Sequence, residues 1–355
     1  MNFNFYFNRL QEISAQDPDA YFVVTDDCLL IRVDHFLNKH YKFDLRDIVE
    51  DIVIRYSAGR YVYFYFYDGG NLNLSGFKEF LNYLQAQIGL DKPRTIVVTY
   101  QKTNIDNAVV IYTPISHFLS NTYTRLATVD LADDKFEKSF GCLLGRYDLY
   151  RLELIRHMHK HHAERSMLSC HMKPESFFFL EHHKLRDYYS AELEWIHQEL
   201  PMPQPGQSFN TTRWGSVNWY DAIDQCQDLY NQFFIDVISE TDYNSPDWFT
   251  EKTFKPLMLG RPFIMWSGCG ALRSLHDLGF KTFSDIIDEH YDTIPNNRER
   301  FTAVINEIDR IGKCSSTELR DMHVHLADVF AHNRNRMREL WEFMDKTPWK
   351  AFSIL

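Results

Sequence analysis

Cysteine is scarce in this sequence: there are six in 355 residues, and no two form a Cys-x-x-Cys pair. They stand at positions 28, 142, 170, 226, 269 and 314. Most fall inside apolar runs, which predicts buried free thiols in a reducing compartment rather than a disulfide framework.

Long hydrophobic runs are also missing. No run approaches the roughly 18 apolar residues needed to cross a membrane. The opening residues, Met1–Phe7, lack the basic start and apolar core of a signal peptide. We therefore expect a protein without a membrane span, located in the cytoplasm of a bacterium or, if it is viral, of its host.

Two common catalytic fingerprints are absent. Gly268-Cys269-Gly270 does not have the spacing of the dinucleotide motif Gly-x-Gly-x-x-Gly. These glycines either let the backbone approach a nucleotide or form the turn before a helix. The lack of a Gly-x-Ser-x-Gly elbow argues against a Ser-His-Asp hydrolase. The net charge of −11 opposes indiscriminate binding to polyphosphate backbones but allows a local basic cleft.

Length and hydrophobic pattern predict two α/β domains, residues 1–135 and 136–355. The predicted strands of the first domain are 20–24, 29–33, 61–67, 95–100 and 108–112. The first two flank a polar turn and predict a hairpin. A helical pattern around residues 77–84 separates later strands, as in an α/β domain. Aromatic residues reach 15%, which suits either large cores or aromatic walls around a sugar.

The second domain repeats the alternation of strand and helix. Its predicted elements are strand 140–144, a helix after Asp148, strand 233–238, helix 248–259, strand 262–266, and helices 269–278, 298–311 and 316–343. Gly260 and Pro262 end the helix 248–259. Because ligands gather at the carboxyl ends of parallel strands, we expect a binding site between residues 238 and 264.

Charged residues cluster at the start of the helix 248–259. Glu251, Lys252 and Lys255 are predicted on the face opposite the apolar side chains. Lysines beside the free N–H groups of a helix start suit a phosphate, and a carboxylate can accept hydrogen bonds from ribose hydroxyls. The cluster therefore predicts a nucleotide-diphosphate site. The alternative is an exposed helix face whose charges are simply solvated.

This segment resembles the donor-binding motif of fucosyltransferase-like glycosyltransferases. The matching residues, over about thirty positions, are Glu240, Thr250-Glu251-Lys252, Lys255-Pro256-Leu257 and Gly260-Arg261-Pro262. The resemblance implies a GT-B fold, in which two Rossmann-like domains face a cleft and the last helix commonly returns to the first domain. It also implies an inverting, metal-independent transfer from a GDP- or UDP-linked sugar, with no essential cofactor. The acceptor would be a hydroxyl of a glycan, a protein or a modified base.

The resemblance also implies roles for individual residues. Lys252 and Lys255 would neutralise the leaving diphosphate, Glu251 would hold the ribose, and Glu240 would orient the sugar or one of the lysines. Thr250 belongs to the same motif. Arg146, in the loop after strand 140–144, or Arg151, one helical turn later, would contact the diphosphate. Each arginine could instead pair with a surface carboxylate such as Asp148.

The sequence is less specific about the catalytic base, which takes the proton from the attacking hydroxyl. An inverting transferase needs one such base. Asp68 follows the strand 61–67 beside two glycines, and His117 follows the strand 108–112. Both are candidates, and both can equally be turn residues.

The histidine run at 157–162 raises the question of a metal. His157 and His161 have the four-residue spacing at which two helical imidazoles reach one ion. Since the sequence identifies no further ligand, we predict a solvated helix end and no metal site.

Two other functions fit the same residues. A catalytically silent module could keep the nucleotide pocket and bind a glycan or a protein. A phage-type transferase could glycosylate hydroxymethylated DNA bases, which would require a basic cleft despite the acidic composition.

Overall fold

The structure, a computed structural model, describes residues 22–24, 28–32, 61–65, 74–88, 92, 95–99, 105–112, 117–144, 149–170 and 229–346. Within these segments the chain is an α/β protein. The strands are β1 (Phe22–Val24), β2 (Cys28–Arg32), β3 (Tyr61–Tyr65), β4 (Thr95–Thr99), β5 (Val109–Tyr112), β6 (Lys138–Leu144), β7 (Ser166–Cys170), β8 (Phe233–Ser239) and β9 (Phe263–Trp266). The helices are α1 (Leu74–Ile88), α2 (His117–Leu126), α3 (Leu149–His162), α4 (Glu251–Leu259), α5 (Ala271–Asp277), α6 (Asn297–Ile311), α7 (Ser316–His325) and α8 (Ala327–Lys346).

The first five strands form one sheet in the order β1-β2-β3-β4-β5. β1 and β2 are antiparallel, with Val23 opposite Leu30, and the other neighbours pair in parallel. The hairpin-like pairing predicted for these two strands is confirmed. Helix α1 contributes the buried Phe80, whose ring lies 6.1 Å from that of Phe64 on β3.

The other four strands form a second sheet, which is wholly parallel and has the order β7-β6-β8-β9. The chain passes from β6 to β7 on one side and then returns to β8 on the other side of β6. All residues of β8 are buried, as expected for a strand covered on both faces. This topology is compatible with a Rossmann-like fold, and it brings the carboxyl ends of the four strands to one edge.

Helix α4 is shorter than predicted. It begins at Glu251 rather than 248, because Thr250 is extended and caps the helix by accepting a hydrogen bond from the N–H of Lys252. The predicted stop is confirmed at Gly260, where φ of +71° takes the chain into the left-handed region that ends many helices.

The prediction of one helix over 316–343 was wrong. Two helices, α7 and α8, meet at Leu326, whose N–H donates to the carbonyls of Met322 and His323. Leu326 is fully buried at this bend. Neither glycine nor proline marks the break, so the local sequence gives no signal for it.

The chain divides into two compact units, one of Met1–His117 with Leu340–Leu355 and the other of Phe118–Glu339. We predicted the boundary after residue 135, whereas the two units divide between His117 and Phe118. The segment before β6 joins the second unit, because the N–H of Ala132 donates to the carbonyl of Leu259 at 2.7 Å.

No helix among the described residues is both long and apolar enough to cross a bilayer. Among the described residues, Cys142, Cys269 and Cys314 are free thiols. Cys142 and Cys170 are buried, whereas Cys269 and Cys314 are half-buried. The prediction of free thiols is confirmed for Cys142, Cys269 and Cys314, and that of burial for Cys142 and Cys170.

Candidate functional site

Glu240 joins the end of β8 to the start of α4. Its side chain is fully buried and accepts three hydrogen bonds. The donors are the N–H of Thr250 at 3.0 Å, the hydroxyl of Thr250 at 2.7 Å and the hydroxyl of Thr253 at 2.6 Å. A buried carboxylate with three donors is firmly held, so the first turn of α4 has a fixed position at the carboxyl edge.

Lys252 lies over this first turn, with its side chain 18% exposed. Its ammonium donates to Thr250 Oγ1 at 2.9 Å and approaches Thr241 Oγ1 at 3.4 Å. Carboxylate oxygens of Glu251 and Glu240 lie 3.5 and 3.8 Å away. Because an ammonium has three protons, Lys252 can still donate to a ligand while it keeps the bond to Thr250.

The carboxylate of Glu251 is 17% exposed and stands beside that ammonium. Burial would raise its pKa, but the positive charges of Lys252 and then Lys255 outweigh this effect and hold the pKa below its ordinary value. Glu251 is therefore ionised at neutral pH and can accept hydrogen bonds.

Lys255 differs from the expectation. We predicted it on an exposed face, but it is only 8% exposed, because α4 is buried on every side beyond its first turn. Its charge acts on Glu251 and on the buried Asp236 of β8. Burial raises the pKa of Asp236 to about 6, opposed by a hydrogen bond from the Tyr230 hydroxyl and by Lys255.

The first N–H groups of α4 already have protein acceptors. Glu240 takes that of Thr250, and the carboxylate of Glu251 interacts with its own N–H. The N–H of Lys252 faces Thr250 Oγ1 at 3.4 Å. Our expectation of free N–H groups at this helix start was wrong, so a phosphate here would have to bind chiefly through side chains.

Arg151 reaches the carboxyl edge from α3, but its guanidinium bonds to the protein. It is 2% exposed and donates to Ser239 Oγ at 3.1 Å, to the Ser239 carbonyl at 3.0 Å and to the Glu240 carbonyl at 2.7 Å. Arg151 therefore fixes α3 to the end of β8. Arg146 lies outside the described residues.

Of the two candidate bases, only His117 lies within the described residues. Asp68 lies outside them. His117 is the first residue of α2, so it begins a helix rather than ending a strand.

An aromatic cluster at the same edge was missed by sequence reasoning. The ring of Trp266, the last residue of β9, lies 4.7 Å from that of Tyr150 and 5.6 Å from that of Tyr243. Both tyrosines are half-buried, and the guanidinium of Arg300 lies 5.1 Å from the centre of the Trp266 ring. These residues come from separate elements, so no local pattern announces the cluster.

The glycines after β9 serve the packing of the protein. A Cβ on Gly268 would lie 2.3 Å from the carbonyl carbon of Ser245, so two loop backbones touch here. Gly270 has φ of +88° and precedes α5, whose first N–H groups donate to the carboxylate of Asp292. Of the two roles considered for this turn, the start of a helix is the one that the geometry shows.

Comparisons of the chain with models of protein families, with curated proteins and with solved structures found no match. The fold and the site therefore define a class and no more: an α/β protein with a parallel, Rossmann-like sheet and charged side chains at its carboxyl edge.

Proposed function

We propose that this protein is a glycosyltransferase that takes its sugar from a nucleotide-diphosphate donor. The proposal includes the GT-B arrangement of two Rossmann-like domains, with the donor bound by the second sheet. The observation that carries it is the position of Lys252 and Glu251 at the point where the strand order of that sheet reverses.

The reversal follows from the strand order β7-β6-β8-β9. The connection after β6 leads to one side of the sheet, and the one after β8 leads to the other side. Between two such connections a crevice opens at the carboxyl ends, and nucleotides bind there in doubly wound sheets. The loop after β8 leads into Glu251 and Lys252, and residues 145–148, with Arg146, form the connection after β6.

The chemistry of the two partly exposed side chains, Lys252 and Glu251, matches the two parts of a nucleotide diphosphate. The Lys252 ammonium has a proton to donate to a phosphate oxygen, and the ionised Glu251 can accept from ribose hydroxyls. Glu240 takes the positioning role, because its carboxylate holds the helix start and lies 3.8 Å from the Lys252 ammonium. In the transfer, an acceptor hydroxyl attacks the anomeric carbon while the bond to the diphosphate breaks. Lys252 then stabilises the charge on the leaving group.

The local charges nearly cancel, since two carboxylates face two ammonium groups. The carboxylates are Glu240 and Glu251, and the ammonium groups are those of Lys252 and Lys255. A diphosphate therefore needs a further cation, and we assign that role to Arg146 rather than to the internally bonded Arg151. Asp68 and His117 remain the proposed bases for the acceptor proton.

A nucleotide screen tests the proposal. Thermal unfolding would be followed with GDP, UDP, CDP and dTDP, because a ligand at 100 times its Kd stabilises a protein by about 2.7 kcal/mol. The nucleotide that binds would then be supplied as its diphosphate sugars, and donor hydrolysis and transfer would be scored. Absence of binding by all four nucleotides would refute the proposal. Binding without hydrolysis or transfer would favour the catalytically silent module.

A further inference from the structure

Two histidines and an aspartate converge between helices α3 and α6, outside the site described above. The Nε2 atoms of His157 and His162 lie 2.8 and 2.7 Å from the same oxygen, Oδ1 of Asp309. One ligand atom from each of the three residues falls within 4.8 Å of the other two. His157 is 19% exposed, His162 9% and Asp309 39%, so the cluster is partly enclosed.

The end of α3 brings these histidines together. Residues five apart on a regular helix point in different directions, but His162 leaves helical geometry, with φ of −135° and ψ of 12°. Its ring can therefore turn back towards Asp309. The spacing of His157 and His161 suggested a different pair. The His161 ring lies 4.7 Å from that of His157, but His161 is exposed and is not one of the converging residues.

The surroundings of His162 leave room for its ring in this position. A Cβ on Gly312 would lie 2.5 Å from His162 Cε1, so any larger residue would displace the imidazole. Gly312 has φ of −57°, which every residue adopts easily, so the glycine supplies space rather than a special conformation. The guanidinium of Arg165 donates to the carbonyls of Gly312 and Cys314 and fixes this end of α6.

We propose that His157, His162 and Asp309 bind one divalent transition metal ion, with Zn²⁺ as the best fit. Two imidazole nitrogens and one carboxylate oxygen are ligands that zinc accepts at about 2.0–2.2 Å, with water in the remaining position. At their present separations the nitrogens and the oxygen would subtend nearly a right angle at such an ion. A small outward movement of the side chains would give a tetrahedral arrangement.

The ion would fasten α3 to α6 rather than act in sugar transfer. Helix α3 begins at the carboxyl edge of the sheet and runs back along it. At 1.5 Å per residue, His157 and His162 lie roughly 12 and 20 Å along the helix from Leu149. The other end of the helix pair is joined by an ion pair between Glu153 and Arg298. The metal site is thus a second link between the same helices and does not depend on the proposed function.

The test uses the full-length chain without a histidine tag, dialysed against EDTA. Co²⁺ would be titrated and its visible absorption recorded, and Zn²⁺ affinity would be measured by calorimetry. We expect one ion per chain and a higher Tm with Zn²⁺. Asp309→Asn and His162→Gln should each weaken metal binding by at least ~10-fold. Substituting residues that only hydrogen-bond to metal ligands already costs about 10- to 100-fold in affinity, and loss of a ligand should cost no less.

His161→Gln is the matched control, because it removes an adjacent exposed imidazole and should leave affinity unchanged. Failure of the wild-type chain to bind Co²⁺ or Zn²⁺ stoichiometrically would overturn the proposal, whatever the variants do. Binding that survives both Asp309→Asn and His162→Gln, or that is lost in His161→Gln, would also overturn it by assigning the ion to other histidines.

Discussion

Replacing Lys252 with alanine tests the candidate donor site most directly. The change removes an ammonium that is 18% exposed and lies between the carboxylates of Glu240 and Glu251. Glu240 keeps its hydrogen bonds to Thr250 and Thr253, so the strand end and the helix start should hold their positions. The variant should therefore lose ligand affinity without losing the fold.

The expected loss follows from the bonds that Lys252 already makes. One proton is committed to Thr250 Oγ1 at 2.9 Å, while the approach to Thr241 at 3.4 Å is weak. At least one charge-assisted hydrogen bond is left for a diphosphate, worth about 1.5–3 kcal/mol. Lys252→Ala should thus raise the Kd for the nucleoside diphosphate about ten- to 150-fold.

Calorimetric titration with the nucleotide chosen by the screen measures this change, and each variant's unfolding curve checks its fold. Lys135→Ala is the matched control, because Lys135 is 85% exposed and precedes β6, at the amino end of that strand. It removes the same charge away from the site and should leave the Kd unchanged. An unchanged Kd in Lys252→Ala, or an equal loss in Lys135→Ala, would refute a diphosphate site at this helix start.

Four further substitutions test the roles of individual residues in stability and in the proposed reaction. Glu240→Gln places an amide where three donors converge and should lower the free energy of unfolding by roughly 2–4 kcal/mol, measured by urea denaturation. Gly268→Ala puts a Cβ against the Ser245 backbone and should destabilise by about 1–3 kcal/mol in the same assay, and wild-type stability would contradict that contact. The raised pKa of Asp236 means that the folded state binds the extra proton, so stability falls as pH rises through about 6. Relative to Asp236→Asn, the wild type should lose about 1.4 kcal/mol between pH 5 and 7.5, whereas parallel pH curves would refute the shift. Asp68→Asn should cut turnover about 10²–10⁴-fold with donor affinity nearly unchanged, and normal turnover would remove Asp68 as the base.

Three of the four strands of the second sheet could be predicted from the sequence, whereas β7 was missed. The apolar runs 233–238 and 262–266 correspond to β8 and β9 within one residue at either end. Buried parallel strands are nearly continuous apolar runs, so the signal is local. The end of helix α4 at Gly260 was equally predictable from the sequence, because it depends on the backbone freedom of one glycine.

The sequence showed on which elements the charged residues stand, but it did not predict their exposure or their hydrogen-bond partners. Helical spacing put Lys255 on an exposed face, because spacing does not report what packs against a helix. Arg151 was correctly expected near the carboxyl edge, yet its acceptors are backbone carbonyls 88 and 89 residues away in sequence. The convergence of His162 on Asp309 requires a helix to unwind and a glycine to make room, and neither is visible in the spacing of the histidines.

Two arginines in the described part of the carboxyl edge are buried and donate to backbone carbonyls. Loops at strand ends have backbone carbonyls that no sheet partner satisfies, and burying such groups unpaired is costly. Arg151 answers this need after β8. Arg300, 2% exposed, does so for the loops that follow β8 and β9. It donates to the carbonyls of Ser267, Tyr243, Ile294 and Pro295 and to the side chain of Asn297.

A guanidinium suits this task because its five N–H donors lie in one rigid plane and reach several carbonyls at once. Lysine, with a compact ammonium on a flexible stem, suits contact with a ligand that binds reversibly. On this reasoning the buried arginines pre-organise the edge, and in the proposed function the partly exposed Lys252 is one of the cations that contact the diphosphate. An Arg300→Lys variant should then lose stability and nucleotide affinity together, whereas Lys252→Arg should keep the fold and much of the affinity. Loss of affinity in Arg300→Lys at unchanged stability would show instead that Arg300 binds the ligand itself.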